Sequence, residues 1–173
     1  MEIAGKNIVS GYKDSKGNLL HLFGPANAVT YAETSKILVL AAGLDMGQVV
    51  ASSKNPKAKF HWANRYLSIL EKKGLAVYSP KLSIDLPATR GAFLHALLQA
   101  FDVPIEKGLK ITYTDLAASS PYAQAIMTAT KLGIIGGDTD ASGKKVGTVR
   151  PNIPLNRAEV AKIVVRMMEK VKK

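Results

Sequence analysis

With 173 residues, 47% of them apolar, the chain can bury one or two cores, which excludes a disordered tail. Its 24 Lys and Arg against 13 Asp and Glu leave a formal charge of +11, so its field favours anionic partners: nucleic acid, an acidic wall polymer or a membrane surface. No cysteine is present, which excludes disulfides, thiolate metal sites and a thiol nucleophile.

The chain opens on MEIAGKNIVSGY, which has neither the charged and apolar regions nor the cleavage site of a signal peptide, so none is expected here. The apolar run ILVLAAGL at 37–44 is far short of the roughly 20 residues that span a bilayer, and no membrane insertion is expected. The segment TYAETSKILVLAAG (30–43) then reads as a helix with Thr30 as its cap. Glu33, three residues on, completes a capping box.

The same plan returns twice. TRGAFLHALLQAFD (89–102) starts from Thr89 but has Ala92 where the capping glutamate would stand, and NRAEVAKIVVRMME (156–169) starts from Asn156 with Glu159 in place. Val160, Ile163, Val164, Met167 and Met168 form a helical stripe, as do Phe93, Leu94, Leu97, Leu98 and Phe101, and both stripes read as core.

A partner helix precedes each of the last two: HWANRYLSILEKKGL (61–75) and SPYAQAIMTATKLGII (120–135), ending in Lys and Gly as helices do. In the first copy only the opening residues align with the end of such a helix, so that helix is expected to be truncated. SSKNPKAK (52–59) and VPIEKGLKITYTD (103–115) carry turn formers without periodicity and read as linkers. Self-similarity of this kind predicts a repeat architecture in three units: 1–51, 60–105 with a shortened loop, and 111–173.

Arg90 and Arg157 stand at the first helical position after their caps, where a cation opposes the helix dipole by about 0.3–1 kcal/mol. An anionic ligand would reverse that penalty, because backbone N–H groups, the dipole and a planar guanidinium would converge on one carboxylate. The competing reading pairs each arginine with an acid on an adjacent loop. Tyr31, at the same place in the first copy, can stack on a sugar but cannot pair with an acid. Trp62 and Tyr122, matched aromatics at the start of the partner helices, read as core or groove wall ahead of direct sugar stacking.

Other chemistry finds no residues. DTDASGKKVGTV (138–149) begins like a calcium loop but has Val149 where the bidentate glutamate belongs, so no metal site is assigned. His21, His61 and His95 share no helical face, and nucleophile elbow, P-loop and dinucleotide fingerprint are all missing. No catalytic residue and no cofactor are expected.

The run Tyr113-Thr114-Asp115, Pro121-Tyr122-Ala123, Leu132 to Gly137, Val149 to Asn152 and Leu155 to Glu159 resembles an S-layer homology domain from end to end. His61-Trp62-Ala63 with Thr89-Arg90, and Phe23-Gly24-Pro25 with Thr30 to Glu33, resemble divergent copies of it. The resemblance implies a mainly α fold: a pseudo-threefold prism of helical repeats with a central three-helix bundle and long irregular loops. It also implies a noncovalent anchor on the bacterial cell surface, outside the cell, bound to an acidic wall polysaccharide or peptidoglycan-linked glycan that often bears pyruvate ketals. Its implied ligand-binding residues are Arg157, Arg90, Tyr31, Trp62, Tyr122, Asp115, Gly136 and Arg150.

Two alternatives stand beside this. A module that assembles with other surface-layer subunits would complete the truncated first copy. A nucleic-acid binder follows from charge alone and is disfavoured, because the basic residues are dispersed and no recognition helix is evident.

Overall fold

The computed structural model describes residue 18, residues 23–47 and residues 52–172. The truncated opening segment of the first copy, and His21, lie outside the described residues. Among those described, the regular elements are five α-helices and a 3-10 turn at Pro56–Ala58: α1 (Tyr31–Ala41), α2 (Asn64–Lys73), α3 (Arg90–Ala100), α4 (Ala123–Lys131) and α5 (Arg157–Val171). The fold is mainly α, and strand pairing is limited to isolated bridges.

Both partner helices begin later than their periodicity predicts. His61 Nδ1 accepts the Ala63 N–H at 3.1 Å and Ser120 Oγ accepts the Tyr122 N–H at 3.3 Å, so a turn precedes each helix proper. Residues 52–59 also differ from a plain linker. Asn55 is buried, donating to the carbonyls of Ser79 and Leu82, while Glu71 accepts from Ser53 and Lys54.

The starts of α1, α3 and α5 are tied to one another. The residues just before the three caps, Val29, Ala88 and Leu155, form a closed circle: Val29 N–H donates to Leu155 O (3.0 Å), Leu155 N–H to Ala88 O (3.1 Å) and Ala88 N–H to Val29 O (2.8 Å). All three are buried. The next donors run around the circle in the opposite sense, with Tyr31 bonding Leu86 O, Arg90 bonding Ile153 O and Arg157 bonding Asn27 O. One residue further on, Ala32, Gly91 and Ala158 bond the carbonyls of Ile84, Pro151 and Pro25.

The third N–H of each helix goes to its own cap: Glu33 to Thr30, Ala92 to Thr89 and Glu159 to Asn156. Helix starts leave N–H groups without intrahelical partners, and here those of the first three helical residues are all bonded to loop or cap oxygens. The long loops are therefore the acceptors that the helix starts require.

Helix α3 lies most deeply. It is apolar nearly all round, with Gly91, Ala92, Phe93, Leu94, Ala96, Leu97, Leu98 and Ala100 buried, as a helix covered on every side must be. It packs against α4 and α1, while α2 packs along α1. Burying side chains the size of Phe93, Leu94 and Leu97 contributes about 1.5–3 kcal/mol each.

Gly91 shows how tight this packing is. A β-carbon there would meet the Tyr122 side chain at 2.9 Å and the Pro151 carbonyl at 3.2 Å. Alanine favours a helix over glycine by about 1 kcal/mol, yet Gly91→Ala is expected to lower the melting temperature, because Tyr122 Cβ and a backbone oxygen cannot step aside cheaply. A thermal melt that rises or stays level would contradict this packing.

Candidate functional site

Each first-turn arginine meets the capping glutamate of the neighbouring helix. Arg157 of α5 pairs with Glu33 of α1 (Nη1 to Oε1, 3.3 Å), and Arg90 of α3 pairs with Glu159 of α5. The cation at the positive helix end is thus answered by an acid that already caps the next helix. Arg157 is buried, and its guanidinium also lies 5.2 Å from the centre of the Phe23 ring.

The same order assigns Tyr31 of α1 to Ala92 of α3. The two departures noted in sequence, a missing arginine and a missing glutamate, therefore fall on one seam. A charge left there without its partner would be costly in so buried a place, and the seam has lost both together.

The seam between α3 and α5 opens into a cavity of about 260 Å³. Its walls are Arg90, the loop from Ile134 to Thr139, Arg150, and the face of α5 carrying Glu159, Lys162, Ile163 and Arg166. Three of the predicted residues, Arg90, Gly136 and Arg150, are brought together here. Asp115 stands behind them: its carboxylate accepts the N–H groups of Val149 (2.9 Å) and Arg150 (2.7 Å). Those bonds hold Arg150 at φ 50, a left-handed conformation that a non-glycine residue rarely takes without support.

Gly137 is required by the same loop. A β-carbon at Gly137 would lie 2.7 Å from the Tyr113 ring, and its φ is 77. Arg150 spans the cavity mouth, bonding Asp138 through Nε at 2.9 Å and reaching Glu159 through Nη2 at 3.2 Å. Arg90, Glu159, Arg150 and Asp138 form one chain of alternating charge. Burial alone would raise the Asp138 carboxyl, but hydrogen bonds from Arg150 and Thr148 and the charges of Arg150 and Arg90 hold it below the usual range.

The remaining predicted residues lie elsewhere. Tyr122 is half-buried over Gly91, edge-on to the His95 ring at 5.8 Å, whereas Trp62 is 56% exposed beside His61 and Tyr66. Matched in sequence, the two aromatics differ in use. Asp140, in the loop that begins like a calcium site, spends one oxygen on Ser142 and Lys144 N–H groups and so closes a turn. Sequence reasoning missed Asp138, Lys162 and Arg166. For the last two the signal was present: four residues apart, they share a helical face with Glu159.

Residues 112–161 match the S-layer homology domain family. The matched segment contains Asp115, Tyr122 and Arg157 and, of the cavity wall, the loop from Ile134 to Thr139, Arg150 and Glu159. S-layer homology domains are cell-wall-binding modules, and this segment links the chain to anchoring at the cell surface. A comparison with curated proteins returned no match. No described helix is long and apolar enough to cross a membrane.

Two outcomes follow from these seams. In a double-mutant cycle of Tyr31→Arg and Ala92→Glu, denaturant melts should show Tyr31→Arg alone destabilising and the pair coupled favourably by about 1 kcal/mol; additive effects would contradict the seam assignment. Because the Asp138 carboxyl is held low in the fold, its stabilisation is present above the ordinary aspartate range and lost as pH falls through it. The gap in melting temperature between wild type and Asp138→Asn should therefore be open at pH 7 and close below about pH 4; a gap independent of pH would contradict it.

Proposed function

We propose that the chain is a noncovalent anchoring module that binds an acidic secondary cell-wall polysaccharide, one bearing pyruvate ketals or similar carboxylates, in the groove between α3 and α5. On this reading it comprises three S-layer homology-like units, 1–51, 60–105 and 111–173, and works outside the cell on peptidoglycan-linked glycan. The observation that carries it is the cavity beside the matched segment, walled by Arg90, Arg150, Lys162 and Arg166 against only Asp138 and Glu159. Cations in excess inside a concave site attract an anion more strongly than the same charges spread over a surface.

The recognition differs from a carboxylate seated on free helix N–H groups. Those donors are bonded to loop carbonyls, so the attraction rests on side chains and on the Gly136 loop. Of the first-turn residues, Arg90 lies in the groove while Arg157 is held by Glu33 and Phe23, and Tyr31 sits in the uncharged seam. The groove that contains Arg90 and Arg150 is the one we assign to ligand.

A second reading, assembly with other surface-layer subunits, is favoured by the hollow at the opposite end of the helices. There Leu40, Ala42, Ala100, Phe101, Met168 and Val171 line about 440 Å³ of mainly apolar space. Light scattering that finds a stable oligomer would support it.

Sedimentation with isolated sacculi tests the anchoring reading. The wild-type chain should co-sediment and Arg150→Gln should bind at least tenfold more weakly, a loss of roughly 1.4 kcal/mol. Wild type that stays in the supernatant, and gives no heat on titration with the released wall glycan, would sink it.

A further inference from the structure

Four cations wall the groove, but two of them are already spoken for. Glu159 gives Oε2 to the Asn156 N–H at 3.0 Å and Oε1 to Arg90 and Arg150. Asp138 gives both oxygens to Arg150, and one of them also to the Thr148 hydroxyl at 3.0 Å. The two carboxylates in the cavity wall are thereby saturated by Arg90, Arg150 and backbone or hydroxyl donors.

Lys162 and Arg166 are left over. Neither makes an ion pair among the described residues, although each lines the cavity. Spaced four apart on α5, they face the same way and repel each other, an arrangement that lowers helix stability unless something anionic lies between. Arg166 donates to the Ile134 carbonyl at 3.3 Å, which ties it to the loop across the cavity. In that loop the N–H groups of Gly136 and Gly137 have no hydrogen-bond acceptor among the described residues.

We infer that Lys162 and Arg166, with the Gly136 and Gly137 N–H groups, form the subsite that holds the anionic substituent of the glycan, while Arg90 and Arg150 position it. The inference rests on the wall-glycan reading above and deepens it. The arginine pair is a frame whose charges are matched within the protein; the Lys162 and Arg166 pair, exposed at the cavity wall, carries charge that no acid of the described residues matches. The substituent is a carboxylate or a phosphate, since a lysine and an arginine accept either.

The probe is the acidic glycan released from sacculi of the encoding organism, titrated calorimetrically into the full chain over a series of salt concentrations. Wild type should bind with an affinity that falls steeply with salt, and Lys162→Gln with Arg166→Gln should bind at least tenfold more weakly with a flatter salt dependence. The charge-keeping swap, Lys162→Arg with Arg166→Lys, should retain the slope, which separates lost charge from lost fold. If the neutral double variant matched wild type in affinity and slope, or if the swap lost as much as the neutral pair, the subsite would be overturned while wall binding stood. No binding by wild type would overturn both readings. Glycan with its carboxylates reduced to alcohols, and glycan stripped of phosphate, identify the group recognised: one treatment should abolish the difference between wild type and the neutral variant, and if neither did the subsite would be refuted.

Discussion

The circle of three backbone hydrogen bonds through Val29, Ala88 and Leu155 is the constraint on which the rest of the molecule depends. It brings three helix starts together, which would set three positive dipole ends side by side. Their N–H groups must then be met by oxygens within a crowded space, and the loops that approach each cap supply them. The irregular stretches rich in proline and asparagine are shaped by that need. Proline at 25, 87, 151 and 154 is tolerated because these loops use carbonyls as acceptors and leave few N–H groups to satisfy.

Charge is arranged around the same circle. A glutamate that caps its own helix also faces the first-turn arginine of the neighbour, so one carboxylate serves two ends. Where the pair is intact the seam is ionic; where it is absent both members are absent, leaving Tyr31 and Ala92. The two ionic seams differ in structure. The seam between α3 and α5 adds Arg150, Lys162 and Arg166 to the basic pattern and opens into a cavity, whereas the seam between α5 and α1 closes over Arg157 with Phe23.

Much of the fold was legible locally. The caps Thr30, Thr89 and Asn156, the glutamates three residues on and the apolar stripes all act within one or two helical turns, where sequence spacing and spatial neighbourhood coincide. The site was less legible, because its pairings join residues 69 and 124 positions apart. Tyr31 and Ala92 read in sequence as two unrelated departures, and only the ring order makes them one. Arg157 and Arg90 are indistinguishable by motif and similarly buried, yet differ in surroundings, since Phe23 covers one and the 134–139 loop lines a cavity beside the other. Lys162 and Arg166 look like an ordinary solvated helix face until the fold sets the 134–139 loop opposite them across the cavity, with Arg166 bonded to Ile134 O. Trp62 and Tyr122 diverge for a smaller reason: Gly91 makes room for one ring, while Ala32 stands at the matching place for the other.

The proposed ligand location is the groove between α3 and α5. Amide chemical-shift mapping with nitrogen-labelled protein and the released wall glycan tests it most directly. The largest shifts are expected at Gly136, Gly137, Arg150 and the Glu159 to Arg166 face of α5. Largest shifts around Phe60 and Trp62, or in the hollow lined by Phe101 and Met168, would contradict it.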